Sequence, residues 1–351
     1  MRWPWARITS RDQLVVSWAE KSLAYVRARS GPNGWEILKM GVESQGGDTP
    51  EDFVKRLEAL GLKGCNTSAM LRPEQYYLLQ VPAPTVPPEE LKSAVRYQIR
   101  DMVDIHIDDL TLDVFNVGDG QQKANPQLFV AAANNAHVRS VMTLASAMDW
   151  PVTVIDIQEA CQRNLQSAAA KRNGTLERAD AALVLTDGQH ALFTISVNGE
   201  LYYTRRLDVP AGFLDMAWSQ AAVTEAGAPD GFTPVDEYVP DYAGGSSAFT
   251  TARTEHAETD MERAQRLAVE VQRSLDLWDR SWSGIPLAAL RVSAGERSVE
   301  LAEWLGRETG QTVMAIDLEA MFTGLENMPL LHRMFCAPLL GLLLRTENRV
   351  A

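Results

Sequence analysis

The chain has 351 residues, 46% of them hydrophobic, more than one ordinary core needs, so two domains or a bilobed unit are expected. Forty-six acidic against 33 basic residues give a formal charge of -13. That balance argues against sequence-independent nucleic-acid binding, which needs a phosphate-neutralising basic surface, and against adsorption to anionic lipid. Cys65, Cys161 and Cys336 are odd in number and far apart, with no Cys-x-x-Cys spacing, as expected of reduced thiols in a cytosol. His106, His137, His190, His256 and His332 form no metal-spaced pair, so no metal site is expected. The opening MRWPWARITS carries no signal-peptide core. The apolar run Ala337 to Leu344 is far short of the roughly 20 residues that span a bilayer, so it reads as a buried helix. Any membrane link is then expected through a partner.

Gln13 to Val16, Leu23 to Arg29 and Trp35 to Val42 read as a β-meander, the last two joined across Gly31-Pro32-Asn33-Gly34. Thr49-Pro50-Glu51-Asp52 opens a helix with Phe53, Leu57 and Leu60 on its apolar side, ended by Gly61 and Gly64. A strand from Tyr76 to Val81 runs into a proline-rich break. Pro87 and Pro88 are followed by Glu89 and Glu90, acids where a helix N-terminus favours negative charge. Leu91, Val95, Ile99, Met102 and Val103 recur at helical spacing, predicting a helix from Glu89 to Val103. Leu110 to Val117 and Gln127 to Ala133 are further strands. Asn134 or Asn135 caps a helix carrying Val138, Val141, Met142, Ala145 and Met148. Val152 to Ile157 is a buried strand, followed by a helix near Cys161 and Leu165.

The polar stretch Ala168 to Asp180 reads as a linker, after which the plan repeats. Ala181 to Thr186, Ala191 to Val197 and Glu200 to Leu207 form a second meander, its last turn marked by Asn198-Gly199. A helix is expected from Gly212. Glu225 to Glu258 is rich in Gly, Pro, Ser, Thr and Asp and reads as a long surface loop or a partly disordered segment. Met261 to Trp278 is a helix with Ala264, Leu267, Ala268, Val271, Leu275 and Trp278 on one face. A strand (Ala289 to Ala294), a helix (Val299 to Leu305), a strand (Val313 to Ile316) and a helix (Arg333 to Arg345) close the chain.

Several segments in order, QLVVSWAEKSLAYVRA, VPAPTVPPEELKSAVRYQIRDMVDIHIDDLTLDVFNV, PVTVIDI, VNGELYYTRRLDVPAG, EVQRSLDLW, RVSAGERSVELAEWLG, VMAIDLEAM and FCAPLLGLLLR, resemble the PilM family and the related MshI proteins of MSHA pilus assembly. The segment 225–258 has no counterpart. The resemblance implies an α/β, bilobed actin/Hsp70-like fold with an α+β insert like that of FtsA. The implied domains are a first lobe from 1–64 and 151–172, an insert at 65–150, a second lobe from 173–220 and 286–351, and a variable loop-and-helix part at 221–285. It also implies a cytoplasmic protein peripheral to the inner membrane. Its expected partner is the short cytoplasmic tail of a single-pass membrane protein, bound in a groove beside the insert. The pilus motor ATPase is a second candidate partner, and neither nucleic acid nor direct membrane insertion is expected.

In that fold two β-hairpins cradle the phosphates of ATP, and an aspartate on each helps hold Mg²⁺ through water. The family's Asp-Ile-Gly falls on Ser17, Trp18 and Ala19, so the carboxylate is gone and the glycine carries a methyl group. The second triplet falls on Leu185, Thr186 and Asp187, with Asp187-Gly188 able to restore part of the site. The adenosine turn falls on Ser293, Ala294 and Gly295, with one glycine kept. A degenerate pocket at Ser17, Ala19, Asp187, Gly188, Ser293 and Gly295 is therefore expected, with Mg·ATP weak or absent and no catalytic residue. Arg96, Tyr97 and Arg100 lie off the apolar stripe of the insert helix and are candidates for the peptide groove; solvated side chains are the plain alternative. Trp3 and Trp5 are candidate anchors in the N-terminal tail, with a tail packed on its own lobe as the equal alternative. The expected function is a non-enzymatic scaffold of a type IV, MSHA-like pilus platform. The alternatives are an ATP-binding or hydrolysing protein of the same fold and a component of a type II secretion platform.

Overall fold

The computed structural model describes residues 12–32, 34–120, 125–185, 188–218 and 260–346. The first sheet begins with a meander of β1 (Asp12–Ala19), β2 (Ser22–Gly31) and β3 (Gly34–Ser44). Glu20 and Lys21 make the two-residue β1–β2 turn, both at positive φ (49° and 61°), the turn geometry that follows the twist of the strands. Leu14 and Val16 enter one core and Val15 another, so β1 is apolar on both faces and reads as a continuous run. Helix α1 (Pro50–Ala59) starts where expected, with the Asp52 amide donating to the Thr49 hydroxyl. β4 (Asn66–Leu71) then lies parallel to β1.

A three-stranded antiparallel sheet follows, in the order β5 (Tyr76–Pro82), β7 (Gln127–Asn134), β6 (Leu110–Asn116). Helix α2 (Leu91–Gln98) covers one face, with Val95 and Ile99 packed on Leu110, Leu112, Leu128 and Val130. It stops at Gln98, five residues short of the expected end. Asp101 and Asp104 would have sat at the negative end of a longer helix, and Met102 is exposed.

Helix α3 (Asn135–Ala147), capped by the Asn134 side chain, returns the chain to the first core. Its Val141, Leu144 and Ala145, with Met148 and Trp150, pack with Leu14, Val16 and Phe53. β8 (Val152–Ile157) completes the first sheet beside β4. The expected insert boundaries at 65 and 150 are thus wider than the unit built on the small sheet. β4 pairs in the first sheet, and α3 shares the first core.

Helix α4 (Gln158–Arg172) continues through the start of the expected linker; only residues 173–178 separate it from the next strand. β9 (Ala179–Leu185), β10 (His190–Val197) and β11 (Glu200–Asp208) form the second meander. Asn198 and Gly199 take positive φ (52° and 83°) at its hairpin, which favours these two residues. Gly212 leads only into a single short turn, Phe213–Asp215. Helix α5 (Asp260–Ser281) buries the predicted face from Ala264 to Trp278. β12 (Leu287–Ser293), α6 (Ser298–Thr309) and β13 (Val313–Ala315) follow. Then β14 (Phe322–Thr323) pairs with β3, and α7 (Leu330–Leu343) ends the described fold. Trp3, Trp5 and 225–258 lie outside the described residues.

The two main sheets run β14-β3-β2-β1-β4-β8 and β11-β10-β9-β12-β13. Apart from the short β14, each is an antiparallel meander extended by two parallel strands. The predicted duplication is present, with the two meanders in separate sheets. Helices α4 and α7 cross at close range: a Cβ on Gly341 would fall 1.9 Å from the Cys161 carbonyl oxygen.

Candidate functional site

Three spaces lie along the contact between the lobes and the insert. The first is at the seam between α4, α7 and the second sheet, and of the described residues expected in a nucleotide pocket only Ser293 lines it. Ser17 is buried, and its hydroxyl accepts from Arg72 Nε at 3.3 Å. A second Arg72 nitrogen reaches the Ser22 carbonyl at 3.5 Å, and Gln75 Nε2 donates to the Trp18 carbonyl at 3.0 Å. The segment after β4 therefore lies over the first hairpin and sets a guanidinium beside Ser17. A cation in that place opposes a divalent metal, which wants oxygen ligands. Ala19 is buried. Asp187 lies outside the described residues; Gly188 and Gly295 both keep positive φ (78° and 60°). Met334 of α7 packs against Gly295, 3.5 Å from where a Cβ would be.

Ser293 opens on a cavity of about 10 Å³ with Gln158, Gln162, Leu165, Val184 and Pro338. Ligand pockets for organic molecules are ~300–1,000 Å³. The seam is closed by hydrogen bonds from α4. Gln162 Nε2 donates to Leu192 O at 2.9 Å, Thr194 Oγ1 at 3.0 Å and Ala182 O at 3.2 Å. Gln166 Nε2 donates to Asp180 O, and Thr194 Oγ1 donates back to Gln166 Oε1 at 2.9 Å. Behind them, Arg291 Nε donates to both carboxylate oxygens of buried Asp180 at 2.8 and 2.9 Å. Burial outweighs the arginine and pushes the Asp180 carboxyl up to about 6.

A second space, about 510 Å³, opens between β5, the start of α3 and β11. At its base is a polar node. Tyr76 donates its hydroxyl to the Glu159 carboxylate and accepts from the Gln158 amide at 3.2 Å. Arg206 of β11 reaches across to Glu159 at 3.2 Å and to the Pro73 carbonyl at 2.7 Å, its guanidinium 5.0 Å from the Tyr76 ring centre. Burial, then the Glu159 charge, pushes the Tyr76 hydroxyl well above its ordinary value.

The third space is a groove of about 690 Å³ beside the insert. One wall is β8, an edge strand of the first sheet. The insert supplies Phe115 and Ala131, α4 supplies Ala160, Arg163, Ala168 and Lys171, and the β10–β11 turn closes one end. Edge strands present unpaired backbone N–H and C=O groups, so this wall is able to bind an extended peptide through its main chain. The insert is also fixed to the second lobe: the Gly118 amide donates to Leu201 O at 2.7 Å, and Val117, Phe129 and Leu201 share a small core.

The expected groove residues Arg96, Tyr97 and Arg100 line none of these three spaces. Arg96 turns inward and donates to the carbonyls of Ile107 and Leu110, the latter at 2.9 Å. Tyr97 is 69% exposed. Arg100 is exposed and pairs with its neighbour Asp101 at 3.1 Å. The residues missed were Arg72, Glu159, Gln162 and the α4 face of Arg163, Ala168 and Lys171. The last set has a sequence signal, the i, i+5, i+8 spacing of a helix face that is neither fully buried nor fully apolar.

No family model and no curated protein matches the chain. Among solved structures it is similar to a chain of the PilM-PilN type IV pilus biogenesis complex. That likeness has 15% identity and a TM-score of 0.61, over 95% of this chain and 98% of the other. It is also similar to the cytoplasmic domain of EpsL, an inner-membrane component of the type II secretion system of Vibrio cholerae. Here the identity is 13% and the TM-score 0.41, over 74% and 95% of the two chains. A Bacteroides thetaiotaomicron protein with an actin-like ATPase fold gives 8% identity and a TM-score of 0.46, over 90% and 96%. At such identities the first likeness speaks for the fold, and the resemblance read from the sequence holds at that level: the chain has the bilobed actin-like fold.

Proposed function

We propose that this protein is a non-enzymatic scaffold of a type IV, MSHA-like pilus assembly platform. It would work at the cytoplasmic face of the inner membrane and hold the cytoplasmic tail of a bitopic membrane partner. The observation that carries the reading is the 690 Å³ groove between the β8 edge and the insert. Among the described residues no helix is long and apolar enough to cross a membrane, and attachment through a partner is part of this proposal. A tail of about ten residues buries a modest area, so an affinity of roughly micromolar order is expected, strengthened by multivalency if copies are arrayed.

Cell fractionation with and without the platform partner tests the reading. The protein should leave the membrane when the partner is deleted and should not float with pure liposomes. Persistence on membranes without the partner, or flotation, overturns it. Within the groove, Ala168→Trp fills the space from the partly exposed face of α4 and should abolish tail binding, while Tyr97→Ala should leave it intact. We also read the interlobe seam as one that does not use Mg·ATP, supported by Ser17 in place of an acid, the Arg72 guanidinium beside it and the 10 Å³ cavity. A micromolar, Mg²⁺-dependent dissociation constant by calorimetry (roughly -8 kcal/mol) refutes that part alone.

A further inference from the structure

The free edge of β8 lies close to where the described chain starts. β1, β4 and β8 run parallel and begin at the same end of the first sheet, with Gln13 opposite Asn66 and Thr67 opposite Val152. Polar side chains tie that end together. Gln13 Nε2 donates to Ser68 Oγ at 3.1 Å, and Ser68 Oγ shares a hydrogen bond with Thr153 Oγ1 at 3.3 Å. Every residue from Thr153 to Ile157 lines the groove beside the insert. Side chains of a strand alternate between its faces, so an unbroken run of this kind borders the groove through its edge. Residues 1–11 precede β1 and lie outside the described residues.

Their composition differs from that of the whole chain. MRWPWARITSR holds Arg2, Arg7 and Arg11 and no acid, in a protein with 46 acidic against 33 basic residues. A strand added at the β8 edge would stand three strand spacings from β1, about 14 Å. Eleven extended residues reach at most about 36–40 Å. Ile8 to Arg11 suffice for the crossing, and Met1 to Arg7 remain to run along Thr153 to Ile157. We infer that residues 1–7 of the chain itself are the resting occupant of the groove, paired antiparallel to β8, and that a partner tail binds by displacing them. The direction follows from the route, since the segment leaves the groove at the end where β8 begins. Trp3 and Trp5 share one face of the added strand, and Phe115, Ala131 and Ala168 offer them apolar surface. Pro4 has no N–H and fits where its nitrogen points away from β8. The groove itself is balanced in charge, with Asp113, Asp156 and Glu200 against Arg163, Lys171 and Arg345. The acidic excess of the whole protein is what draws the basic segment in. The displacement rests on the reading of the groove as a partner site; the contact within the chain does not.

A short tether gives an effective concentration of about 1 mM, so a segment whose own dissociation constant is about 0.1 mM fills the groove about nine-tenths of the time. A fluorescein-labelled peptide of residues 1–11 is the probe, titrated into the full chain. It should bind about tenfold more tightly once Trp3→Ala and Trp5→Ala free the groove. Adding Ala168→Trp to that variant should abolish binding. Equal affinity for the wild type and the double variant, or binding that survives Ala168→Trp, overturns the inference. Photocrosslinking gives an independent test. With p-benzoylphenylalanine in place of Trp5, the full chain should cross-link within one molecule to groove residues of β8, α4 or the insert sheet. A link elsewhere in the chain, a link to a second copy, or no link overturns it as well. The two readings fail separately. Persistence on membranes without the partner refutes the scaffold reading and leaves the contact within the chain, whereas a failed cross-link refutes that contact and leaves the scaffold reading.

Discussion

The contact between Arg206 and Glu159 is the sharpest place to test how the lobes are joined. Glu159 is 1% exposed and Arg206 is 39% exposed, so solvent reaches one partner of the pair only. Arg206→Met keeps most of the stem and removes the guanidinium. Glu159 would retain only the Tyr76 hydroxyl, and the Pro73 carbonyl would lose its donor. Removing one member of a fully buried pair costs about 3–5 kcal/mol, and the solvent at Arg206 lowers the expected cost to about 2 kcal/mol. Glu159→Gln keeps a hydrogen-bonding side chain and removes the charge, with an expected cost of about 1 kcal/mol. In the double variant no buried charge is left unpaired, so it should cost less than the sum, with a coupling of about 1–2 kcal/mol. Urea unfolding followed by tryptophan fluorescence measures all three. A cost under about 0.5 kcal/mol for Arg206→Met, with an additive double variant, would show that the pair carries no interlobe energy and refute the reasoning.

Four further outcomes follow from particular contacts. Arg96→Ala should destabilise by about 1–3 kcal/mol, because two carbonyls lose a charged donor, whereas Tyr97→Ala should stay within about 0.5 kcal/mol; equal effects would place Arg96 at the surface. Gly341→Ala should destabilise by at least about 1–3 kcal/mol by pushing α7 off Cys161, although alanine in a free helix gains about 1 kcal/mol over glycine; a more stable variant in thermal unfolding would refute the close crossing. Gly118→Ala adds a Cβ at positive φ (62°), 2.4 Å from the Tyr202 ring, and should loosen the insert, seen as faster exchange of the residue 118 amide that donates to Leu201 O. The carboxyl of Asp12 is held below its ordinary value of 3.8, first by the Arg29 hydrogen bond. Its folded pKa is thus below its unfolded one, so its stabilisation is present above about pH 4 and lost as pH falls through the folded pKa. Asp12→Asn should cost about 1 kcal/mol at pH 7 and approach the wild type in acid; a constant difference down to pH 2 would refute the linkage.

How much was legible follows from which physics each feature uses. The meanders were readable because β1 and β9 are buried on both faces and Asn198-Gly199 fits only a tight hairpin. β4 was not readable. NTSAML carries no alternation and only one strong strand former, and parallel pairing to β1 and β8, not propensity, makes it a strand. Helix α2 was overextended because apolar spacing continues through Met102, while the charges at Asp101 and Asp104 were given no weight. That Ser17 offers no carboxylate was plain, yet the Arg72 guanidinium that lies beside it is 55 residues away in sequence, and no local pattern joins them.

The candidate groove residues Arg96, Tyr97 and Arg100 lie away from the 690 Å³ groove for the same reason. Residues were chosen for lying off a buried stripe, and that criterion cannot tell a side chain facing solvent from one turned back to cap its own subdomain. Arg96 does the second, and its guanidinium is occupied by Ile107 and Leu110. The groove instead lies where three separate parts of the chain meet: the β8 edge, the insert sheet and one face of α4. Its position follows from topology, since β8 is the last strand of its sheet and keeps one edge free. An edge of that kind is a hazard unless it is covered. Here the insert and α4 wall it into a groove that admits an extended segment and shields the edge from pairing with another sheet. A partner tail bound there would satisfy the strand's free backbone groups and touch both lobes and the insert at once. The same geometry thus argues for a protein that holds a chain segment and against one whose working space is the closed seam.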